Sequence, residues 1–238
     1  MNELAELKEL LACENAGLIP HVASELGVKR YIKNADRIKR YLPKGRILDW
    51  GCGLGQMTYL LKNRGFEVTS YDVDCGGRAF LQRIGQPLIL AADPVKLPFP
   101  DSSFDAVLSS GVLEHVAEPL ASLKEVSRVL KDQGYFFVFM LPNKYSYIEY
   151  ISDRLGRGDH PVKYSEKQIR ELLEKFNFDV LSVTYKGLLP YNLKGLPAGV
   201  REFYHIFDRW IGYLDWILSR LPLLGLLSTN IEIVARKK

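Results

Sequence analysis

The 238 residues carry 47% apolar and 25% charged side chains and a formal net charge of +4. That length and composition suit one soluble α/β domain with a buried core, and the charge excess is too small to imply nucleic acid by itself. Three cysteines, Cys13, Cys52 and Cys75, with no CxxC pair, suggest neither a disulfide framework nor a zinc site, so no metal is expected.

Residues 3–11 and 28–42 have helical patterns and form an N-terminal cap. The chain start is acidic and lacks the basic and apolar segments of a signal peptide. No stretch reaches the roughly 18 apolar residues of a spanning helix, so a cytoplasmic location is expected. Pro43-Lys44-Gly45 makes a turn, and RILDW (46–50) reads as the first strand. A helix follows over 55–64, then strand FEVTSYD (66–72), a helix over 75–84 and strand PLILAAD (87–93). FDAVLSS (104–110) is the fourth strand, 117–131 a helix, and Asp132-Gln133-Gly134 a turn. YFFVFML (135–141) is nearly all apolar, as a strand buried on both faces should be. Ser165–Phe176 is helical, and FDVLSVTY (178–185) and NIEIVAR (230–236) are the last strands, read as an antiparallel edge pair. Strands alternating with helices predict a mostly parallel, doubly wound sheet.

Glycines 51, 53 and 55 follow the first strand, in the loop that most often holds a ligand in such folds. A dinucleotide fingerprint would need glycine at 56, where this chain has Gln56. Asp49, two residues before the first glycine, would repel a pyrophosphate but can accept from an ammonium group or order the loop. Together they disfavour an NAD site and favour a nucleoside with an amino-acid end, S-adenosylmethionine (SAM). Asp72 ends strand two, 21 residues beyond Gly51, placed to accept from ribose hydroxyls. Asp93 ends strand three, placed to accept from an adenine amino group, whereas Asp105 is read as structural.

ILDWGCGLGQ (47–56), SYDVD (70–74) and AADPVKLPFPDSSFDAVLSSGVLEHV (91–116) resemble the class I SAM-dependent methyltransferases. The likeness is greatest to the broad type 11 subgroup that includes ubiquinone-biosynthesis and small-molecule O-methyltransferases. It covers about residues 44–186 and the final strand. It implies a Rossmann-like seven-stranded sheet, order 3-2-1-4-5-7-6 with strand seven antiparallel. It further implies that Asp49, Gly51, Cys52, Gly53 and Gly55 face the methionine part, that Asp72 binds ribose with Val73 beside adenine, and that Asp93, followed by Pro94, contacts adenine. Ser110 and Gly111 pass the methionyl group. The cofactor is then SAM and its product S-adenosylhomocysteine. Trp50, where a small aliphatic is commoner, is a mild departure.

Methyl transfer from a sulfonium is an in-line displacement in which the protein aligns the reactants and excludes water. A general base helps when the nucleophile is a hydroxyl, and His115 and His160 are the catalytic candidates. SSGVLEH stands where base-methylating relatives carry an Asn/Asp-Pro-Pro-aromatic motif, so DNA and RNA are not the expected partners. The basic run 28–46 is read as a solvated face, with an anionic acceptor such as RNA as the rival reading. Within 187–229, Val200, Phe203, Phe207, Trp210, Leu214, Ile217 and Leu221 form a helical apolar stripe. It has three possible roles: core, lid of an acceptor pocket, or peripheral membrane contact.

The expected organisation is one methyltransferase domain: cap 1–43, SAM-binding core 44–186, apolar insertion 187–229, last strand and basic tail 230–238. The expected activity is O-methylation of a small-molecule or lipid-like acceptor, the alternative being a non-catalytic SAM-binding subunit that stabilises a partner.

Overall fold

The computed structural model describes residues 3–12, 25–76, 78–156, 158, 160–190 and 197–238. Cys13, part of the cap and part of the insertion therefore lie outside the described residues. Seven strands form one sheet in the order β3-β2-β1-β4-β5-β7-β6. They are β1 (Arg46–Trp50), β2 (Glu67–Asp72), β3 (Leu88–Leu90), β4 (Phe104–Ser110), β5 (Leu130–Pro142), β6 (Phe178–Lys186) and β7 (Asn230–Lys237). The first five pair in parallel, and β7 runs antiparallel to both β5 and β6. This is the expected Rossmann-like order.

Side chains alternate across the sheet, so β5 feeds two cores. Phe137 and Phe139 pack with Ile47, Leu60 and Phe80 on one face, together with α1 (Glu3–Ala12) and α2 (Glu25–Tyr41) through Leu7, Val28 and Ile38. Phe136 and Val138 pack on the other face with Leu48, Phe178 and residues of α5 (Pro119–Val129) and α7 (Glu166–Lys175). Ser165 and Gln168 close a reciprocal capping box at the start of α7. The remaining core helices are α3 (Gln56–Asn63), α4 (Arg78–Arg83) and α6 (Tyr147–Arg154).

Two expected boundaries shift for identifiable reasons. β3 spans three residues, not seven, because it is an edge strand whose Ile89 and Leu90 stay exposed. Asp93 therefore does not end it. Its carboxylate instead accepts from the backbone N–H groups of Val95 and Lys96 at 2.7 and 2.9 Å, closing a turn beyond the strand. The Asp132-Gln133-Gly134 turn becomes a bulge within β5: Leu130 pairs with Phe104, Tyr135 with Ala106, and Gln133 takes φ +63°.

The basic run is divided: Arg30 and Arg37 turn inward, whereas Lys33, Lys39, Arg40, Lys44 and Arg46 are exposed. Arg30 and Arg37 of α2 reach a buried Glu232 on β7 at 3.0 and 3.3 Å, and Asn34 donates to the same carboxylate. Lys29 pairs with Glu25 and Asp208, and Arg46 with Glu67. Arg30 and Arg37 thus clamp the cap on the sheet, a correction for these two residues, while the exposed remainder of the run is a solvated face.

The apolar stripe is split into α8 (Ala198–Ile206) and α9 (Asp208–Leu218), followed by α10 (Pro222–Gly225). All seven stripe residues face outward, Trp210 at 71% exposure. The inward side of α9 carries one large apolar residue among polar and small ones. Asp208 meets Lys29, Ile211 is buried, and Gly212 lies over Leu26. Asp215 is buried and accepts from the backbone N–H of Leu189 at 2.8 Å. Among the described residues no helix is long and apolar enough to cross a membrane.

Candidate active site

Two cavities open at the carboxyl ends of the parallel strands and meet at Gly53, Gly111 and His115. The larger, about 360 Å³, is lined by Trp50, Gly51, Asp72, Val73, Pro94 and neighbours. The smaller, about 170 Å³, is lined by Tyr31, Gln56, Ser110, Glu114, His160 and neighbours.

The glycine loop is tied down on its inner side. The N–H groups of Gly51 and Cys52 both donate to the Tyr71 carbonyl, at 2.8 and 3.1 Å. Gly51, Gly53 and Gly55 take φ values of +71°, +55° and +90°, a region that strongly favours glycine. A Cβ on Gly51 would collide with Val112, and one on Gly55 would lie 2.5 Å from Leu81. A Cβ on Gly53 would meet nothing within 4 Å, so this backbone faces open space at the junction of the cavities.

The two acids of the loop differ in task. Asp72 accepts from the Gly53 N–H at 2.7 Å and the Asp74 N–H at 3.0 Å. It also lines the larger cavity, and an ionised carboxylate has further lone pairs to offer there. Asp49 is 1% exposed and lines neither cavity. It accepts from the Thr58 hydroxyl at 2.7 Å, and Thr58 in turn bonds Ser70 at 2.9 Å. Burial pushes its carboxyl up to about 7. Its place is beneath the loop, joining β1 to α3. Cys52 is also buried there, and burial raises its thiol well above the usual range. Asp93 is exposed and lines neither cavity, whereas Pro94, which its turn presents, lines the larger.

After β4, Gly111 donates to the Phe139 carbonyl and turns the chain with φ +72°. That turn delivers Glu114 inward and His115 to the junction. His160 follows the neighbouring strand β5, 45 positions on, and its ring centroid lies 5.9 Å from that of His115. It is oriented by Glu149, whose carboxylate is 3.0 Å from His160 Nδ1. Ser146 caps α6 by accepting from the Glu149 N–H, which turns that acid inward. Burial pushes the Glu114 carboxyl up to about 7.

Sequence reading missed Glu114, Glu149, Gln56 as a cavity wall, and Tyr31. Glu114 was adjacent to a chosen histidine, and its deep burial was the missing signal. Glu149 and Tyr31 come from segments whose polar pattern alone points nowhere.

The fold and loop define a Rossmann-like methyltransferase class, and comparison with known proteins agrees. Residues 48–138 match the family described as a methyltransferase domain. A 2-methyl-6-phytyl-1,4-hydroquinone methyltransferase of Synechocystis sp. is 30% identical over 190 residues, 76% of this chain and 52% of that one. A ubiquinone/menaquinone biosynthesis C-methyltransferase of Stenotrophomonas maltophilia is 39% identical over 118 residues, 44% of this chain and 45% of that one. Among solved structures, a SAM-dependent methyltransferase from Archaeoglobus fulgidus superposes with TM-score 0.58 at 20% identity, covering 87% of this chain and 94% of that one. A Burkholderia thailandensis 1,6-didemethyltoxoflavin-N1-methyltransferase, solved with S-adenosylhomocysteine bound, gives TM-score 0.57 at 18% identity, covering 87% and 78%. The chain spans about half the length of curated relatives such as the first of these. The methyltransferase-domain match, the methyltransferase relatives and the shared fold support a class I SAM-dependent methyltransferase with SAM as its cofactor. The larger cavity fits that cofactor, because the open Gly53 backbone leaves room for a ligand and the Asp72 carboxylate stands in its wall.

Proposed function

We propose that the chain transfers the methyl group of SAM to a hydroxyl oxygen of a small, lipid-like acceptor, leaving S-adenosylhomocysteine. The observation that carries the acceptor class is the outward apolar face of α8–α10, at the same edge of the sheet as the cavities. Just after α10, the Leu226 and Ser228 carbonyls accept from the Asn143 side chain, and the Leu227 carbonyl accepts from the Tyr147 N–H. The adjoining α6 adds exposed Tyr150, Ile151 and Leu155. Exposed apolar residues in such number mark an interaction site. One similar protein is named for a phytyl hydroquinone, an apolar chain on a hydroxyl-bearing ring.

SAM supplies a methyl already activated on sulfonium, so alignment and water exclusion are the protein's main work. In this reading Gly51, Gly53, Asp72, Val73, Pro94 and Gly111 hold the cofactor in the larger cavity. Asp49, Cys52 and Gly55 shape the loop from beneath, Asp93 fixes the turn that presents Pro94, and Ser110 stands at the acceptor side. The acceptor hydroxyl enters the smaller cavity and loses its proton at the cluster of Glu114, His115 and His160. The chain works as one methyltransferase domain, with 44–186 holding the cofactor, 1–43 capping it, 187–229 facing the acceptor and 230–238 completing the sheet. It meets a membrane peripherally through 200–227.

Asp72→Ala tests the cofactor seat. Loss of a charge-assisted hydrogen bond is worth about 1.5–3 kcal/mol, so calorimetry should give roughly 10–150-fold weaker SAM binding. Unchanged affinity would remove Asp72 from the site. The acceptor side is tested by co-sedimentation with anionic vesicles, which should carry the protein down, and by a blue shift of Trp210 and Trp216 emission. Trp210→Ser with Leu214→Ser should weaken both. If neither vesicles nor apolar compounds bind, the lipid-like acceptor is wrong. A methyl found on carbon by mass spectrometry and NMR of the product would overturn the oxygen-directed part. Tight SAM binding without turnover across acceptors would favour a non-catalytic subunit instead.

A further inference from the structure

The smaller cavity holds more chemistry than one general base requires. Glu114, His115 and His160 each offer a ligand atom, and these atoms all lie within 4.8 Å of one another. Glu114 is 2% exposed, and its Oε2 is buried with no hydrogen-bond partner. An orphaned carboxylate oxygen in such a place is costly unless a cation or donor meets it. Yet no lysine or arginine is among the described residues lining this cavity. Ser110 Oγ and Gln56 Oε1, in the same walls, are likewise buried without partners.

Glu149 is placed as the outer support of a metal ligand should be. It engages His160 through Nδ1 at 3.0 Å, and Lys163 stands behind it at 3.7 Å. An imidazole held at Nδ1 by a carboxylate coordinates through Nε2, with tautomer and ring orientation fixed. Ligand atoms bound at about 2.0–2.2 Å lie some 3.4 Å apart around a tetrahedral ion. The three ligand atoms, all within 4.8 Å of one another, lie close to that spacing. Two imidazoles and one carboxylate suit a first-row transition ion better than magnesium or calcium, which favour oxygen alone.

We propose that Glu114, His115 and His160 bind a divalent transition-metal ion that receives the acceptor's hydroxyl oxygen in the smaller cavity. The site stands on geometry, and only the acceptor's role rests on the function proposed above. The ion takes over the activation assigned there to the cluster: the bound hydroxyl releases its proton to solvent, and its oxygen lone pair forms the new bond to the methyl carbon. The carbon–sulfur bond pair returns to sulfur, so charge and atoms balance without an added reductant or oxidant. The cysteine pattern gave no hint of such a site, because its ligands are histidine and glutamate from two distant segments.

The test is a titration of chelator-treated full-length protein with Co²⁺, in a Cys75→Ser background that removes the exposed thiol. One equivalent should bring up the visible d–d absorption of a nitrogen- and oxygen-ligated ion, and Zn²⁺ should displace it. Glu149→Gln should weaken Co²⁺ affinity about 10–100-fold, the usual effect of losing an outer-shell partner. His115→Ala, at an exposed position with circular dichroism unchanged, should weaken it more. No absorption change, or equal affinity and stoichiometry in His115→Ala and His160→Ala, would overturn the site. SAM calorimetry on the same sample separates the two ideas. SAM binding without metal binding defeats the metal site alone, whereas metal binding without SAM binding upholds it and defeats the function proposed above.

Discussion

Asp49 shows how burial selects between two readings of one charge. A carboxylate before a glycine loop can meet a ligand's ammonium group or order the loop, and here it lies under the loop, bonded to Thr58 and screened from water. Its carboxyl, ordinarily near 3.8, titrates near 7 because burial disfavours the charge. Between those values the folded protein holds a proton that the unfolded chain has released. Stability should therefore fall as pH rises from 3.8 to about 7, by up to about 1.4 kcal/mol per pH unit. Glu114, raised by burial from 4.5 to about 7, adds a slope of the same sign. Asp49→Asn keeps an acceptor for Thr58 and removes one of the two contributions. Urea unfolding at pH 5 and pH 7 should show a smaller stability difference in the variant than in the wild type. Equal differences would mean that Asp49 does not titrate in this window. Asp72, by contrast, was legible: strand-end position and spacing from the first glycine both marked it, and it lines the cavity. Asp93 was misplaced because the strand it was meant to end stops at Leu90, where an edge position leaves too little burial to extend it.

At the scale of elements, α2 turns two of its charges inward and α9 turns its apolar stripe outward, and neither is visible in the pattern alone. A basic helix ordinarily turns its charges to water. Arg30 and Arg37 instead converge on Glu232, which is 1% exposed and some 200 positions away in the chain. Removing one partner of a buried pair leaves uncompensated charge, and Glu232→Ala should destabilise the protein by about 3–5 kcal/mol. Chemical denaturation measures this, and a loss under 1 kcal/mol would show the network to be dispensable. α9 reverses the other way: its periodic apolar residues were correctly read as a helix, but a period does not say which face is covered. Gly212, Ile211 and Asp215 seat the helix, and the aromatic face is left to the outside. Spacing reports the stripe, whereas the partner of the stripe is decided by tertiary contacts.

Across the whole molecule, the strand order was legible because the motifs at strands one, two and four carry a family resemblance that implies it, while the apolar run marked strand five as buried on both faces. The meeting of Glu114, His115 and His160 was not, since it depends on His160, which follows β5, coming to lie beside the turn after β4. Such contacts carry no local signature. One further consequence lies in the direction of β7. Because Asn230 pairs with Pro142 and Arg236 with Tyr135, the final strand carries the chain from the cavity edge to the opposite end of the sheet. A tether attached at Lys238 would therefore hold the protein by its far pole. Anchored on a sensor chip in that way, the molecule presents both cavities and the aromatic face to the flowing solution, free of the support.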